Sequence, residues 1–143
     1  MYISEIDFGT PSFDQLIALR DEILRKPLGM EFSVEDIAKE YDQIHLGCFD
    51  DDHCVVGVLV LKHVNSDSVK MRQVAVSEHC QSKGIGKFMV QASEEVAKLR
   101  NYKKIELSAR SNAIPFYDKQ GYQKVGDLFQ EVGIDHFKMV KEL

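Results

Sequence analysis

The stretch from Val69 to Gly86 constrains the fold most. Val69 to Val76 reads as a strand, and Ser77-Glu78-His79-Cys80 is a polar loop. Gln81-Ser82-Lys83-Gly84-Ile85-Gly86 then runs straight into a segment with apolar residues at Ile85, Phe88, Met89, Ala92, Val96 and Leu99. That spacing follows i, i+3, i+4, i+7, so residues 85–99 predict a long amphipathic helix with one buried face. Two glycines at the start of that helix carry a chemical implication. The first amides of a helix lack intrahelical acceptors and sit at the positive end of its dipole. Side chains absent at 84 and 86 let an anion come close, and a pyrophosphate fits that description. A Gly-x-Gly-x-x-Gly dinucleotide loop is excluded because position 89 is Met89, and no Gly-Lys-Ser/Thr phosphate loop is present.

The remaining pattern places this unit in a mixed α/β (α+β) domain. Residues 2–8 alternate like a strand, and residues 12–25 have helical spacing with Ser12 as the expected N-cap. Ser33-Val34-Glu35-Asp36 resembles a capping box opening a short helix over 34–41. Strands are expected at 44–49, 54–63, 69–76, 104–109, 122–129 and 134–141, and a short helix at 113–120 stopped by Gly121. The order is β-α-α-β-β-β-α-β-α-β-β, a single sheet packed between helices. With 143 residues and neither repeat nor linker, one domain over 1–143 is expected.

Composition narrows the function. The net charge of −5 disfavours a nucleic-acid partner. Cys48, Cys54 and Cys80 have no close pairing for zinc or redox chemistry, and their odd number fits a reducing compartment. Asp50-Asp51-Asp52-His53 lacks the alternating spacing of a calcium loop, so it reads as a solvated turn and no metal is expected. No apolar run reaches the roughly 20 residues of a membrane span, and the first residues lack a signal-peptide pattern; a cytoplasmic location without membrane partner is the expectation.

Gln81-x-x-Gly84-x-Gly86, following Val74-Ala75-Val76, resembles the Gln/Arg-x-x-Gly-x-Gly/Ala signature of GNAT-superfamily N-acetyltransferases. Asn112-Ala113-Ile114-Pro115-Phe116-Tyr117-Asp118-Lys119-Gln120-Gly121-Tyr122 is similar to a second segment of that family. The resemblance implies a mostly antiparallel sheet of about seven strands with helices on both faces. It also implies two central parallel strands, ending near Val76 and Ala109, that splay apart. It implies acetyl-CoA as cosubstrate, its pyrophosphate on the amides of Gln81, Ser82, Lys83, Gly84, Ile85 and Gly86. The pantetheine arm would lie along Val74, Ala75 and Val76 as an added strand. Asn112 would contact the cofactor and Tyr117 would lie near its sulfur. Members often pair through their terminal strands, so a homodimer is admitted, although no residue here demands one.

Aminolysis of a thioester needs a deprotonated amine, a donor for the oxyanion and a proton for the departing thiolate. The Val76 amide is the implied oxyanion donor and Tyr117 the implied acid. Some protein-lysine-acetylating members carry a glutamate where Lys70 stands, and that departure turns the reading away from histone-like acceptors. For the base, Glu131 and His136 lie in a C-terminal segment with a faint resemblance to ElaA-type members. Glu78 and His79 rank below them, and a water chain is the other route. Lys83 could meet phosphate and Arg110 phosphate or an acidic substrate group, whereas Arg72 reads as surface charge. The acceptor is a primary amine of a small molecule or peptide; a non-catalytic acyl-CoA sensor is the second reading.

Overall fold

A computed structural model describes residues 1–143. Its main elements are β1 (Tyr2–Glu5), α1 (Pro11–Arg20), α2 (Val34–Ala38), β2 (Ile44–Phe49), β3 (Val55–His63), β4 (Ser68–Val76), α3 (Ile85–Leu99), β5 (Lys104–Arg110), α4 (Ile114–Asp118), β6 (Gln123–Glu131) and β7 (Ile134–Glu142). This is the expected order of elements. The strands form one seven-stranded sheet in the order β1-β2-β3-β4-β5-β7-β6. The β1–β2, β2–β3, β5–β7 and β6–β7 ladders are antiparallel, and β4–β5 is parallel. No helix is long and apolar enough to cross a membrane.

Residue contacts gather into two units, Met1–Lys62 with Gln73–Ser93, and His63–Arg72 with Glu94–Leu143. In the first unit, two strand glycines explain how the helices reach the sheet. Gly47 pairs with Val58, and Cys48 with Gly57. A Cβ on Gly47 would lie 2.9 Å from Leu16 Cδ2, and Val58 packs with Leu16, Leu19 and Ala75. One residue along, a Cβ on Gly57 would run into Met89 Sδ and sit 3.4 Å from Ile85 Cγ2. Neighbouring strand residues face opposite ways, so α1 covers one face and α3 the other.

The start of α1 corrects the sequence expectation. Thr10, not Ser12, is the N-cap, its Oγ1 accepting from the Phe13 amide at 3.2 Å. Pro11 occupies the first helical turn, where its missing N–H costs nothing, and this moves the cap ahead of it. The helix over 12–25 is also not uniform: Asp21–Arg25 widens into a π turn and Lys26–Leu28 tightens into a 3₁₀ turn. Ile23 and Leu24 still pack against the core from the wider turn. Ser33 caps α2 as expected, accepting from the Asp36 amide at 3.1 Å, but the helix ends at Ala38.

A buried ion pair ties this region together. Arg20 makes a two-pronged contact with Glu40, Nη1 to Oε1 at 2.7 Å and Nη2 to Oε2 at 2.8 Å, and its side chain is fully buried. Arg20 and Arg25 both lie over the Phe32 ring, at 4.7 and 4.4 Å. Asp21 accepts from the Phe32 amide at 3.1 Å. The carbonyl of Glu40 accepts from His45 Nε2 at 2.9 Å.

In the second unit, β5 alternates buried Ile105, Leu107 and Ala109 with half-buried neighbours. It pairs with β7 along its whole length, from Lys104↔Glu142 to Arg110↔His136. The parallel ladder to β4 is short, Ser68↔Lys104 to Met71↔Leu107, and both strands run on beyond it. β6 is the sheet edge and is exposed on both faces, with an irregularity between Val125 and Phe129.

Removing one partner of a buried ion pair leaves the other charge uncompensated. Glu40→Ala should therefore destabilise the fold by about 3–5 kcal/mol in chemical denaturation. Replacing both partners with apolar residues should cost less than the single change. A single-variant loss within the error of the measurement would contradict the pairing.

Candidate active site

The loop between β4 and α3 is built to present amides. The carbonyl of Gly84 accepts from the Phe88 amide at 3.0 Å, which makes Gly84 the residue before the first turn. The amides of Ile85, Gly86 and Lys87 therefore have no acceptor within their own helix. Gly84 has φ +79, and a Cβ there would meet nothing within 4 Å. Backbone conformation rather than crowding requires that glycine. Ser82 is also left-handed, at φ +66. No acidic residue lies in the first turn of α3, and Lys83 and Lys87 flank it. That is the reverse of what a helix N-terminus prefers from its own side chains, and it suits an external anion.

Gln81 has a role its motif position does not disclose. Its Nε2 donates to the Val76 carbonyl at 3.1 Å and straps the loop to the end of β4. The next amide, Ser77 N–H, donates to the Val56 carbonyl of β3 at 2.8 Å. Successive amides alternate sides along a strand, so the Val76 N–H points to the edge turned away from β3. That is the orientation an oxyanion donor or an added strand requires. Of the lower-ranked bases, His79 holds Ser77 Oγ through Nδ1 at 3.0 Å, and Glu78 is exposed.

The second unit carries the remaining candidates. Asn112 lies exposed in the 3₁₀ turn Ser111–Ala113, ahead of α4. Ser111 Oγ donates to the Asp135 carbonyl at 3.3 Å, which joins this turn to the residue before His136. Tyr117 is buried, and burial pushes its hydroxyl up to about 12. Its ring meets Tyr122 edge-on, centroids 5.7 Å apart. Tyr122 donates to Glu94 Oε2 at 2.9 Å, and Lys141 Nζ reaches both Glu94 oxygens at 3.0 and 3.2 Å. Burial first, then the charge and hydrogen bond of Glu94, push the Tyr122 hydroxyl up as well. Sequence reading missed this buried trio. Its only signal is a carboxylate at position 94, four residues after Val90 and three before Ala97 on the buried side of α3.

His136 and Glu131 fare differently. His136 is 5% exposed and stacks on Phe129 with centroids 5.8 Å apart. Its Nδ1 meets the Ile134 carbonyl at 2.7 Å. A carbonyl only accepts, so Nδ1 carries the proton and Nε2 is the basic nitrogen of the neutral ring. Glu131 is exposed at the end of β6, across from Ile134. It shares the hairpin with His136 but sits at the solvent-facing tip. Asp135, beside them, accepts instead from Gln130 Nε2.

The acetyltransferase (GNAT) domain model matches residues 27–143. The chain belongs to the GNAT acetyltransferase family. This GNAT chain is 32% identical over 76 residues to the uncharacterised protein YyaT of Bacillus subtilis (strain 168), a match covering 53% of this chain and 51% of that one. It spans about half the length of the curated relatives it matches first. Its fold resembles an aminoglycoside 6'-N-acetyltransferase complexed with coenzyme A (TM-score 0.83, 19% identity, 99% and 97% of the two chains). Escherichia coli ElaA is equally similar in fold (TM-score 0.82, 20% identity, 99% of each chain). The faint likeness of residues 129–139 to ElaA-type members thus sits within a shared architecture.

The cysteines of this GNAT chain are all free thiols, and burial pushes the Cys48 thiol up. Tyr117 supplies a pH test. Its folded value near 12 exceeds the ordinary phenol near 10, so the folded state holds the proton longer than the unfolded state. The contribution is complete below pH 10 and is lost as pH rises through 12. Over that window Tyr117→Phe should remove about 3 kcal/mol of the alkaline loss of stability, read by denaturation at successive pH values. An identical alkaline profile in the variant would show that the phenol is not buried.

Proposed function

We propose that residues 1–143 act as one N-acetyltransferase domain, moving an acetyl group from acetyl-CoA to a primary amine within a ternary complex. One observation carries this reading: α3 begins with three amides its own turn cannot satisfy, between Lys83 and Lys87, on a loop strapped by Gln81 to the strand whose Val76 amide faces the opposite edge. The coenzyme A in the aminoglycoside 6'-N-acetyltransferase of like fold supports the same donor.

The roles follow from the chemistry. The amides of the loop Gln81–Gly86, continued by Lys87 in the first turn of α3, receive the pyrophosphate. Val74–Val76 offers a strand edge to the pantetheine arm, and Asn112 adds a polar contact. The amine nitrogen attacks the thioester carbon, and the Val76 N–H donates to the oxygen that gains charge. His136 Nε2 takes the proton released by the amine, with exposed Glu131 drawing a cationic acceptor toward the hairpin. The C–S bond then breaks and the electron pair leaves on sulfur.

Tyr117, the residue the family pattern assigns to the sulfur, has a value near 12, whereas an ordinary thiol titrates near 8.5. Full proton transfer would be uphill by roughly 3.5 units, about 5 kcal/mol. The phenol therefore acts chiefly as a hydrogen-bond donor to the departing thiolate, which completes its protonation from solvent. This is a narrower role than a general acid. The acceptor is a small-molecule or peptide amine; an aminoglycoside is the acceptor of one protein of like fold.

Acetyl-CoA, by binding the folded state alone, should stabilise it by RT ln(1 + [L]/Kd) and so raise the melting temperature. Gly84→Asp should abolish that shift and Gly84→Asn should keep most of it. Both side chains tolerate a left-handed backbone, so the contrast isolates the carboxylate. An equal shift in the two variants would remove the loop from the phosphate site. Turnover of a panel of amines, followed by thiol release, tests the reaction; binding without release on any amine would mark a sensor.

Tyr117→Phe should lower kcat about 10- to 100-fold, the loss of one hydrogen bond to a charged atom, and leave acetyl-CoA affinity nearly unchanged. A kcat equal to that of the parent would take Tyr117 out of the reaction.

A further inference from the structure

Gln73 is the one residue of β4 that is both strained and unsatisfied. Its φ is +54, in the left-handed region that side-chain-bearing residues seldom enter within a strand. Its Oε1 is buried, and no donor of the protein reaches it. The two features are independent, one in the backbone and one in the side chain. A positive φ that only bends the strand is best served by glycine, which adopts it without strain. A position that only fills space is best served by an apolar side chain, which leaves no orphaned oxygen. Glutamine serves neither purpose.

The position gives the feature its meaning. The parallel ladder of β4 ends at Met71, and the Val74–Val76 edge begins just after Gln73. The left-handed backbone re-aims one side chain just past the point where β4 stops pairing with β5 and the candidate site begins. A buried amide oxygen there can only accept, so it selects for a donor.

We propose that Gln73 Oε1 is a substrate-binding acceptor that receives an N–H from a bound reactant. The inference rests on the acetyltransferase reading. In that reaction two groups carry such an N–H: the attacking amine and the amides of the pantetheine arm. The shared chemistry is a single N–H donor lodged against the Gln73 side chain.

Two variants test it, assayed in the full chain. Gln73→Gly accepts the positive φ and deletes the oxygen. Gln73→Met keeps the length and deletes the oxygen. Each should raise either KM for the amine or Kd for acetyl-CoA at least about tenfold, as expected for one lost substrate hydrogen bond. Which constant moves identifies the reactant. Gln73→Gly should not lower the melting temperature, because it also relieves the backbone. Both constants within twofold of the parent in both variants would overturn the proposal, and so would a fall in melting temperature with those constants unchanged. The parent gives a readout that no folding defect can obscure: the Gln73 side-chain amide resonances should shift on adding coenzyme A or the amine. No shift with either overturns the proposal. Failure of the parent to bind acetyl-CoA or release thiol would instead sink the acetyltransferase reading, and it is seen before any substitution is made.

Discussion

Three amides at the start of α3 have no carbonyl to meet within their own helix, and the loop between β4 and α3 is arranged around them. The chain reaches that point through two left-handed residues, Ser82 and Gly84. It is held there by the Gln81 strap on Val76 and by the Ser77 amide on β3. Met89 and Ile85 press α3 against Gly57, which fixes the helix on its side of the sheet. Remove the anion-seeking end of α3 and each of these features loses its common purpose. Two lysines beside the positive end of a dipole are an unfavourable arrangement for a helix left to itself.

The second unit works by exclusion of water rather than by exposed charge. Tyr117 is pushed toward 12 by desolvation alone, whereas Tyr122 also feels Glu94. Lys141 neutralises Glu94, so the trio is internally satisfied and packs as a neutral block against the Tyr117 ring. His136 is treated the same way: its Nδ1 is committed to a carbonyl, which defines the basic nitrogen.

Much of the fold was legible because periodicity and capping are local. The order of elements, the Ser33 cap and the long helix over 85–99 all follow from residues close in sequence. The misreadings have local causes of another kind. Ser12 has the residue type of a cap, but Pro11 opens the helix and leaves the cap to Thr10, and nothing in Asp21–Arg25 announces a π turn. At the site, glycines and a family pattern pointed to the phosphate loop, but the Gln81 side-chain bond and the Gln73 backbone depend on where β4 stops pairing. No spacing rule reports that. Glu131 illustrates the converse: its motif neighbourhood set it level with His136, and only the hairpin register separates an exposed tip from a buried ring.

The Arg20–Glu40 pair closes a segment that contributes little to the core. No residue of Lys26–Leu28 or of α2 is buried, yet the ends of the stretch are pinned by the ion pair, and two guanidinium groups lie over Phe32 within it. Such a segment can exchange nearly all its surface residues without disturbing the frame that carries it. Sequence drift is thereby channelled: the anchors are costly to change, and the span between them is cheap.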